Sequence, residues 1–426
     1  MALMPCFFAI KKRGGGCFLH QALYRKWRPM QFAEVIGQEH ITRTLKGQAK
    51  AGRLSHAYLF CGTRGTGKTT CARILAKAIN CELPQHGDPC NKCPACLSIN
   101  DGSATDVIEI DAATYTGVNN IRELRDEAVY SPSLLRKRVY IIDEVHMLST
   151  SAFNAFLKIL EEPPSHVMFV LATTELHKVP ATILSRCQRF DFHRIDRGKI
   201  AKRLLAIAQV ENIPLEPGGA ALLAHASDGA MRNALSLLEQ AAAGSNGVRL
   251  DAETTSAVLG MVSAGPLLQL ALAIGKGDAS SALALFGEQY RAGAEPAAVM
   301  DRLSCLLRDL LICHMESKVE LLGEGYSRED LQELLPKFSP GRLLYSVQTA
   351  QQALADLQRS PNRQISAEMC IVALARPVLG GEPAALAARL DALEHKLATG
   401  GFGMPATPAA KAESKPVSAK AETSSK

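Results

Sequence analysis

The sequence predicts an α/β fold, in which a parallel sheet has helices on both faces, followed by an all-helical region. Three observations support this prediction. Apolar runs of strand length alternate with helical patterns in the first half of the 426 residues, as in chains that build parallel sheets. A glycine-rich loop ends the first run, and the strand patterns stop near residue 194. The predicted strands cover residues 57–62, 106–112, 138–146 and 167–174.

Helical patterns lie between the strands and continue after them. We expect helices over 69–81, 118–130 and 151–162, the last of them ended by two consecutive prolines. The α/β region therefore covers residues 21–196. Short helices then form a small unit over residues 197–247, and Leu-rich helices form a larger one over 248–379.

The two ends of the chain differ in composition from the rest. Residues 1–20 contain a Gly-Gly-Gly break without periodicity and are predicted to be a disordered extension. Residues 380–426 are predicted to be a linker, an amphipathic helix with leucines spaced over 386–397, and a disordered Ala/Lys/Pro/Ser tail. Residues 1–20 carry +3 and residues 401–426 carry +2 of the formal net charge of +6. The overall charge therefore does not indicate a nucleic-acid protein, and a basic patch must be local.

Composition excludes several classes of protein. With 47% hydrophobic and 21% charged residues, the chain can bury a core and is neither wholly disordered nor fibrous. No run of 18 apolar residues is present, so no membrane-spanning segment is predicted. An apolar stretch precedes the first basic residues, which reverses the order of a secretory signal, and a cytoplasmic location is expected.

Four of the twelve cysteines lie within sixteen residues, namely Cys81, Cys90, Cys93 and Cys96. Four thiolates with Cys-x2-Cys spacing suit tetrahedral Zn²⁺, and a site with four protein ligands has a structural role. An iron–sulfur cluster or free thiols are the alternatives. Prolines and a glycine predict that this insert, over residues 81–100, is a loop module. The remaining cysteines are scattered, which indicates buried thiols rather than disulfides.

The loop after the first strand matches the phosphate-binding pattern G-x-x-x-x-G-K-[ST] and opens a helix. In this pattern, backbone N–H groups and the helix N-terminus surround phosphate oxygens. The lysine reaches the β- and γ-phosphates, and the hydroxyl that follows it binds Mg²⁺. The predicted nucleotide-binding residues are Gly62, Thr63, Arg64, Gly65, Thr66, Gly67, Lys68, Thr69 and Thr70.

The third predicted strand carries an Asp-Glu pair near its end. A carboxylate at the carboxyl end of a parallel strand lies beside the phosphate loop. We expect Asp143 to hold Mg²⁺ and Glu144 to orient the attacking water. Alone, the pair would indicate an ordinary acidic strand end facing solvent, and the phosphate loop at residues 62–69 is what favours the functional interpretation.

Several short motifs together resemble one family of AAA+ ATPases, the gamma/tau subunits of the bacterial DNA polymerase III clamp loader. The motifs are YRKWRP, VIGQEH, HAYLFCGTRGTGKT, IDEVHML, LEEPP and ILSRC. The resemblance runs from about residue 22 to residue 379 and implies an AAA+ domain, a helical lid over 197–247 and a collar over 248–379. It also implies zinc at the cysteines and an adenine-side pocket at residues 24–29 and 35–38, where Trp27 serves packing.

The resemblance implies roles for three further residues. Thr174 matches the sensor-1 position, which contacts the γ-phosphate or the water, although a strand-capping threonine is the alternative. Arg186 matches an arginine finger that acts on ATP in the neighbouring subunit, and Arg232 matches sensor 2 in the lid. The alternative for Arg186 is a surface arginine in a salt bridge, which the sequence alone would favour, and the alternative for Arg232 is a solvated helix face.

The implied activity is ATP hydrolysis that opens a sliding clamp and loads it on primed DNA, without polymerase chemistry. The implied partners are further gamma/tau copies, delta and delta-prime in a hetero-pentamer, the clamp, and the backbone of primer–template DNA. Another AAA+ machine, such as a branch-migration motor or helicase loader, and a scaffold without ATPase activity are the alternatives. Basic residues that could touch DNA are Arg122, Arg125, Arg136, Lys137 and Arg138.

Overall fold

The chain forms two compact units, Met1–Ser263 and Ala264–Lys426. The computed structural model describes residues 21–114, 117–245, 247–260, 264–315, 319, 321 and 325–377. The predicted disordered extension at 1–20, the linker and tail of 380–426 and the amphipathic helix at 386–397 lie outside these residues.

One five-stranded parallel sheet forms the centre of the first unit, with the strand order β2-β3-β4-β1-β5. The strands are β1 (Ala57–Gly62), β2 (Val107–Asp111), β3 (Arg138–Asp143), β4 (Val167–Thr173) and β5 (Gln188–Phe192). The predicted fold class, a parallel sheet with helices, is therefore confirmed.

Two features of the sheet differ from the prediction. Strand β3 ends at Asp143 rather than at residue 146, because Glu144 has a left-handed backbone conformation with φ of 49°. Strand β5 was not predicted. It is an edge strand that pairs only with β1, and its buried Phe190 and Phe192 alternate with polar residues, so it lacks the continuous apolar run of the inner strands.

The helices of the first unit flank the sheet and then continue beyond it. They are α1 (Leu23–Lys26), α2 (Glu39–Ala51), α3 (Lys68–Asn80), α4 (Pro94–Asp101), α5 (Val118–Ala128), α6 (Thr150–Glu161), α7 (Ala181–Leu184), α8 (Arg197–Glu211), α9 (Pro217–Ala226), α10 (Met231–Gly244) and α11 (Ala252–Val258). Short 3₁₀ helices cover Phe32–Glu34, Val145–Met147 and Leu176–Lys178.

Both faces of the sheet are buried, which explains why its inner strands are almost entirely apolar. Side chains on one face pack with α5 and α6, as Leu59 and Phe169 do with Phe156. Side chains on the other face pack with α2 and α3, where Phe60 and Leu75 share a core. The sheet is thus fixed from both sides, and the carboxyl ends of its strands form one edge.

Helices α8, α9 and α10 form a small bundle whose core includes Leu204, Leu223 and Leu238. Leu23 of α1 joins this core, so the start of the described chain packs on the bundle. Helix α11 packs on α9 and lies in the first unit. The predicted collar begins earlier, at residue 248, and that boundary stays a prediction.

The second unit contains α12 (Ala264–Lys276), α13 (Ala279–Arg291), α14 (Pro296–His314), α15 (Arg328–Gln332), α16 (Pro340–Leu357) and α17 (Arg363–Ala375), with a 3₁₀ helix over Leu335–Lys337. Arg342 of α16 donates to the carbonyl oxygens of Ile274 and Gly275 at 2.6 and 2.9 Å, which satisfies the C-terminal end of α12. Among the described helices of both units, none is long and apolar enough to cross a bilayer.

Candidate functional site

The glycine-rich loop lies between β1 and the N-terminus of α3, at the edge where the strands end. Gly62, Gly65 and Gly67 have φ values of 143°, 82° and 107°, which side chains rarely adopt. A Cβ at Gly62 would overlap the carbonyl oxygen of Phe192, and one at Gly65 would lie 2.9 Å from the Cβ of Ala230. Glycine therefore lets the loop pass between β5 and the helical bundle.

Lys68 and Thr69 begin α3 and face different partners. The Lys68 side chain is buried, and its Nζ donates to the carbonyl oxygens of Gly62 and Thr63 at 2.8 and 3.0 Å. Burial lowers the pKa of Lys68, and the carboxylate of Glu144 opposes this effect. The Thr69 hydroxyl donates to Asp143 Oδ2 at 2.7 Å. The loop thus presents a cation and a hydroxyl side by side.

The carboxylates of Asp143 and Glu144 lie at the end of β3, and that of Glu144 contacts the residue after β4. Thr174 donates its hydroxyl hydrogen to Glu144 Oε2 at 3.0 Å, and Asp143 Oδ1 accepts the Glu144 N–H at 3.0 Å. His146 Nδ1 lies 3.1 Å from the hydroxyl oxygen of buried Thr173 and 3.5 Å from Glu144 Oε2. The left-handed backbone at Glu144 turns its side chain toward this group, and such strained positions are found at functional sites.

A cavity of about 390 Å³ joins the phosphate loop to the helical bundle. Its walls include the loop residues 64–70, both carboxylates and, from α10, Arg232. The Arg232 guanidinium carbon lies 4.9 Å from the centre of the Tyr24 ring, which is a cation–π contact. The structure therefore brings all the predicted phosphate-loop residues from Arg64 onward, the carboxylates and Arg232 around one space.

Trp27 lies at the edge of this cavity and is held by α8. Its Nε1 donates to Glu211 Oε1 at 2.7 Å, and the guanidinium carbon of Arg203 lies 5.7 Å from the centre of a Trp27 ring. The ring also packs against the core of the helical bundle. These contacts agree with the predicted packing role of Trp27.

Arg28 lines the cavity within the segment 24–29 that the resemblance assigns to the nucleotide pocket, and its burial, followed by repulsion from Arg73, lowers its pKa. Sequence reasoning missed several other groups of the site. Arg73 of α3 forms an ion pair with Glu109 of β2, which also lines the cavity. Position 73 lies one helical turn after the phosphate loop, and this spacing is the sequence signal that could have identified Arg73. His146 follows Glu144 by two residues, but only the turn at Glu144 brings it back to the carboxylate.

Arg186 does not line the cavity of its own chain. It follows α7, where its Nη2 lies 2.7 Å from Glu161 Oε1 and its Nη1 donates to the Thr182 carbonyl oxygen at 2.8 Å. The side chain is about one-third exposed. A role at an ATP molecule bound to this same chain is not supported by this position.

Three of the basic residues considered for DNA have partners within the chain, and one of them, Arg125, pairs with the adjacent Asp126 at 2.7 Å. Arg138 lies 3.4 Å from the fully buried carboxylate of Asp106 and donates to the Glu127 carbonyl oxygen at 2.8 Å. Lys137 Nζ donates to the Ser165 carbonyl oxygen at 3.0 Å. These contacts show that Arg138 stabilises the start of β3.

The four clustered cysteines converge at the C-terminal end of α3. Their sulfur atoms all lie within 4.8 Å of one another, and the Cys90 and Cys96 sulfurs are 4.0 Å apart. The N–H groups of Lys92 and Cys93 point to the Cys90 sulfur at 3.5 and 3.3 Å. These N–H groups, that of Lys92 foremost, lower the pKa of Cys90 to about 6.

This geometry fits zinc. Tetrahedral Zn–S bonds of about 2.3 Å separate neighbouring sulfurs by about 3.8 Å, close to the spacing here. The prediction of a loop module was wrong in part, because α4 begins at Pro94 inside the cluster. Proline is well placed at the first position of a helix, since its missing N–H has no partner there. Cys93 therefore directly precedes α4, and Cys96 lies in its first turn.

The fold and the site together define a P-loop protein of the AAA+ class. Three sequence-family models match consecutive parts of the chain. "DNA polymerase III, delta subunit" matches residues 37–196, "DNA polymerase III clamp loader subunit, ATPase lid domain" matches 199–247, and "DNA polymerase III subunits gamma and tau domain III" matches 250–390.

Curated relatives give the family. DNA polymerase III subunit gamma of Buchnera aphidicola is 38% identical over 357 residues, which cover 83% of this chain and 98% of that protein. Subunit tau of Bacillus subtilis is 46% identical over 77% of this chain and 58% of its own length, and subunit tau of Escherichia coli is 41% identical over 83% and 55%. The chain belongs to the DNA polymerase III gamma/tau family, and it spans little more than half the length of the tau relatives.

Among solved structures, the RuvB Holliday junction branch migration motor of Thermotoga maritima aligns with 73% of this chain and 89% of its own. The two share 16% identity with a TM-score of 0.43.

Proposed function

We propose that the chain is an ATP-hydrolysing subunit of the bacterial replicative clamp loader, which opens the sliding clamp and loads it on primed DNA. The observation that carries the proposal is the convergence of four groups on one cavity. Lys68 and Thr69 from α3, and Asp143 and Glu144 from the end of β3, belong to separate parts of the sequence and meet beside the glycine loop. Family membership supports the clamp-loading context.

ATP is proposed to bind with its phosphates at the glycine loop and its base toward the helical bundle. Lys68 exchanges its hydrogen bonds to the loop carbonyls for the β- and γ-phosphate oxygens, because a charged acceptor makes the stronger bond. Backbone N–H groups of residues 62–70 and the N-terminus of α3 add to this positive potential. Arg232 reaches the phosphates from the lid and links their presence to the position of α10.

Hydrolysis is proposed to use the carboxylates after β3. Thr69 and Asp143 offer adjacent hard oxygen atoms, which is the donor set that Mg²⁺ prefers, and bound Mg²⁺ neutralises charge on the phosphates. Glu144 orients the attacking water. Thr174 holds the Glu144 carboxylate by donating a hydrogen bond. In the sensor-1 role, the Thr174 hydroxyl contacts the γ-phosphate or the water.

Arg186 is proposed to act on ATP bound to a neighbouring subunit. Its partly exposed position away from the cavity of its own chain supports an action in trans. An arginine stays charged and makes forked contacts with phosphate oxygens, so it can stabilise charge that develops during phosphoryl transfer. The ion pair with Glu161 would keep the guanidinium in place between turnovers.

The cysteine cluster is proposed to hold a structural Zn²⁺. The proposed partners are further gamma/tau copies, delta and delta-prime in a hetero-pentamer, the clamp, and primer–template DNA contacted through its phosphates. The proposed location is the cytoplasm, at the replication fork.

The test is ATP turnover by the full chain mixed with delta and delta-prime, with and without clamp and primed DNA. We expect clamp and DNA together to stimulate turnover, and Arg186→Ala to lower the stimulated rate by about 100-fold or more. The matched control is Arg189→Ala, a nearby arginine whose Nε lies 2.8 Å from Asp191 Oδ1, which should retain stimulation.

Three other outcomes would contradict the proposal or part of it. Turnover that ignores the clamp would favour another AAA+ machine. Absence of ATP binding would favour a scaffold. Equal loss in Arg186→Ala and Arg189→Ala would contradict the assignment of the arginine finger.

A further inference from the structure

The loop between Cys81 and Cys93 contacts the segment that forms one wall of the nucleotide cavity. Asp88 is 6% exposed, and its two carboxylate oxygens have different partners. Oδ1 accepts the backbone N–H of Phe32 at 2.9 Å, and Oδ2 accepts from Lys46 Nζ of α2 at 2.6 Å. A single buried carboxylate thus joins the cysteine loop to the 3₁₀ helix that starts at Phe32.

A second contact lies on the other side of Cys90. Lys77 of α3 is 2% exposed, and its Nζ donates to Asn91 Oδ1 at 2.8 Å and to the Met30 carbonyl oxygen at 3.1 Å. Asn91 Nδ2 also donates to the Met30 carbonyl oxygen, at 3.3 Å. Residues 88 and 91 therefore hold the same stretch of chain, at Met30 and Phe32.

The residues on both sides of this stretch line the cavity. Arg28 precedes it, and Glu34 and Val35 follow it. Glu34 Oε2 also accepts the Met30 N–H at 2.6 Å. This hydrogen bond joins a residue that lines the cavity directly to Met30. A displacement of residues 30–32 would therefore move cavity residues on either side.

The shape of the cysteine loop depends on the cluster. The Cys90 N–H points to the Cys81 sulfur at 3.3 Å, so the chain that carries Asp88 and Asn91 is fixed at Cys90. The turn before it needs positive φ at two consecutive residues, His86 at 54° and Gly87 at 95°. A loop of this kind has little apolar core of its own, and loops held by metal–thiolate bonds lose their order without the metal.

We propose that Asp88 and Asn91 are positioning residues through which a metal-bound cysteine cluster sets the nucleotide affinity of the cavity. This inference rests on the proposed nucleotide site. The metal orders the loop, the loop holds Met30 and Phe32, and these residues fix the wall against which the nucleotide lies. Neither positioning residue touches the nucleotide or the reacting atoms.

The experiment measures binding of a non-hydrolysable ATP analogue to the full chain by calorimetry. We expect Asp88→Ala to keep its zinc and to bind about tenfold more weakly, because the Phe32 N–H loses its acceptor. In the reconstituted ATPase the KM for ATP should rise while the maximal rate stays within about twofold. Asp88→Asn retains an oxygen acceptor and should recover part of the affinity.

The matched control is Asp101→Ala, an exposed acid at the end of α4 and directly after the module of residues 81–100, which should bind like the wild type. A second measurement removes zinc with a chelator from the unaltered chain. The chain has one tryptophan, Trp27, at the start of the same wall, so its emission reports the wall directly. We expect the emission to shift to longer wavelength and the analogue to bind at least as weakly as to Asp88→Ala.

The outcomes separate the two proposals. If the zinc-loaded wild-type chain does not bind the analogue, the proposed function fails. If it binds, but Asp88→Ala binds equally well or Asp101→Ala loses as much affinity, the positioning role is wrong. If zinc removal unfolds the whole chain, Asp88→Ala still decides, because that variant keeps all four cysteines.

Discussion

The two ends of helix α3 are fixed in opposite ways. At the N-terminal end, Gly67 precedes the helix with φ of 107°, and the loop before it is shaped by backbone conformations that glycine alone tolerates. At the C-terminal end, Cys81 follows the helix, and the chain beyond it is shaped by side chains that converge on one point. In the proposed function, the first end binds a nucleotide that is exchanged, and the second end holds an ion that stays bound.

The two ends of α3 therefore separate a residue that should affect ligand binding from residues that should affect folding. Lys68, at the first end, donates hydrogen bonds to the carbonyl oxygens of Gly62 and Thr63 just before it in the chain, so its removal should affect ligand binding more than folding. The cysteines, at the second end, form a cluster of their own with few other apolar neighbours. Their removal should affect folding first and chemistry through it.

The largest effect is expected at the cysteine end. Cys96→Ser should abolish zinc retention and lower the free energy of unfolding by about 3 kcal/mol or more, because a tetrahedral site loses a buried thiolate ligand. Zinc content and urea unfolding measure the two effects. Cys305→Ser, outside the cluster, is the control and should cost less than about 1 kcal/mol. Full zinc content in Cys96→Ser would contradict the assignment of this ligand.

The next effect separates the two ends. Lys68→Met should weaken binding of the ATP analogue by about 100-fold, or about 2.7 kcal/mol, because a charged donor to the phosphates is lost. Its free energy of unfolding should change by less than about 1 kcal/mol, since burial already disfavours the charged amine. Calorimetry and urea unfolding give both quantities, with exposed Lys50→Met as the control. A variant that unfolds readily would show that the phosphate loop is also a structural element.

The smallest effect tests the carboxylate group. Thr174→Val keeps the side-chain volume but removes the hydrogen bond to Glu144, so the rate of hydrolysis should fall about tenfold while binding of the analogue is unchanged. Single-turnover hydrolysis measures the chemical step. Thr150→Val, at the exposed start of α6, should keep the wild-type rate. A loss of affinity without a loss of rate would assign Thr174 to binding instead.

Motifs made of neighbouring residues could be predicted from the sequence alone. The phosphate loop, the Asp143–Glu144 pair and the four cysteines each lie within a short stretch, and local spacing is enough to suggest their chemistry. The inner strands were also predictable, because burial on both faces makes them continuously apolar. Strand β5 was not, since only one of its faces is buried and its pattern is half polar.

Groups whose partners lie far away in the sequence could not be predicted in this way. The contacts of Glu144 with Thr174 and His146 depend on a left-handed turn at a glutamate, which no local propensity favours. Arg73 of α3 pairs with Glu109, which lines the cavity, although 36 residues separate the two along the chain. Such relations depend on how separate elements pack, not on any one segment.

The parallel sheet, the phosphate loop and the cysteine cluster could be predicted from the sequence, because each follows from residue types at fixed spacing. The contacts of Asp88 with Phe32 and of Asn91 with Met30 could not, because they join residues 56 and 61 positions apart along the chain. A buried carboxylate or a partly buried amide bonds to whichever partner the packing brings to it. Which partner that is becomes known only when α2, α3 and the cysteine loop are placed together.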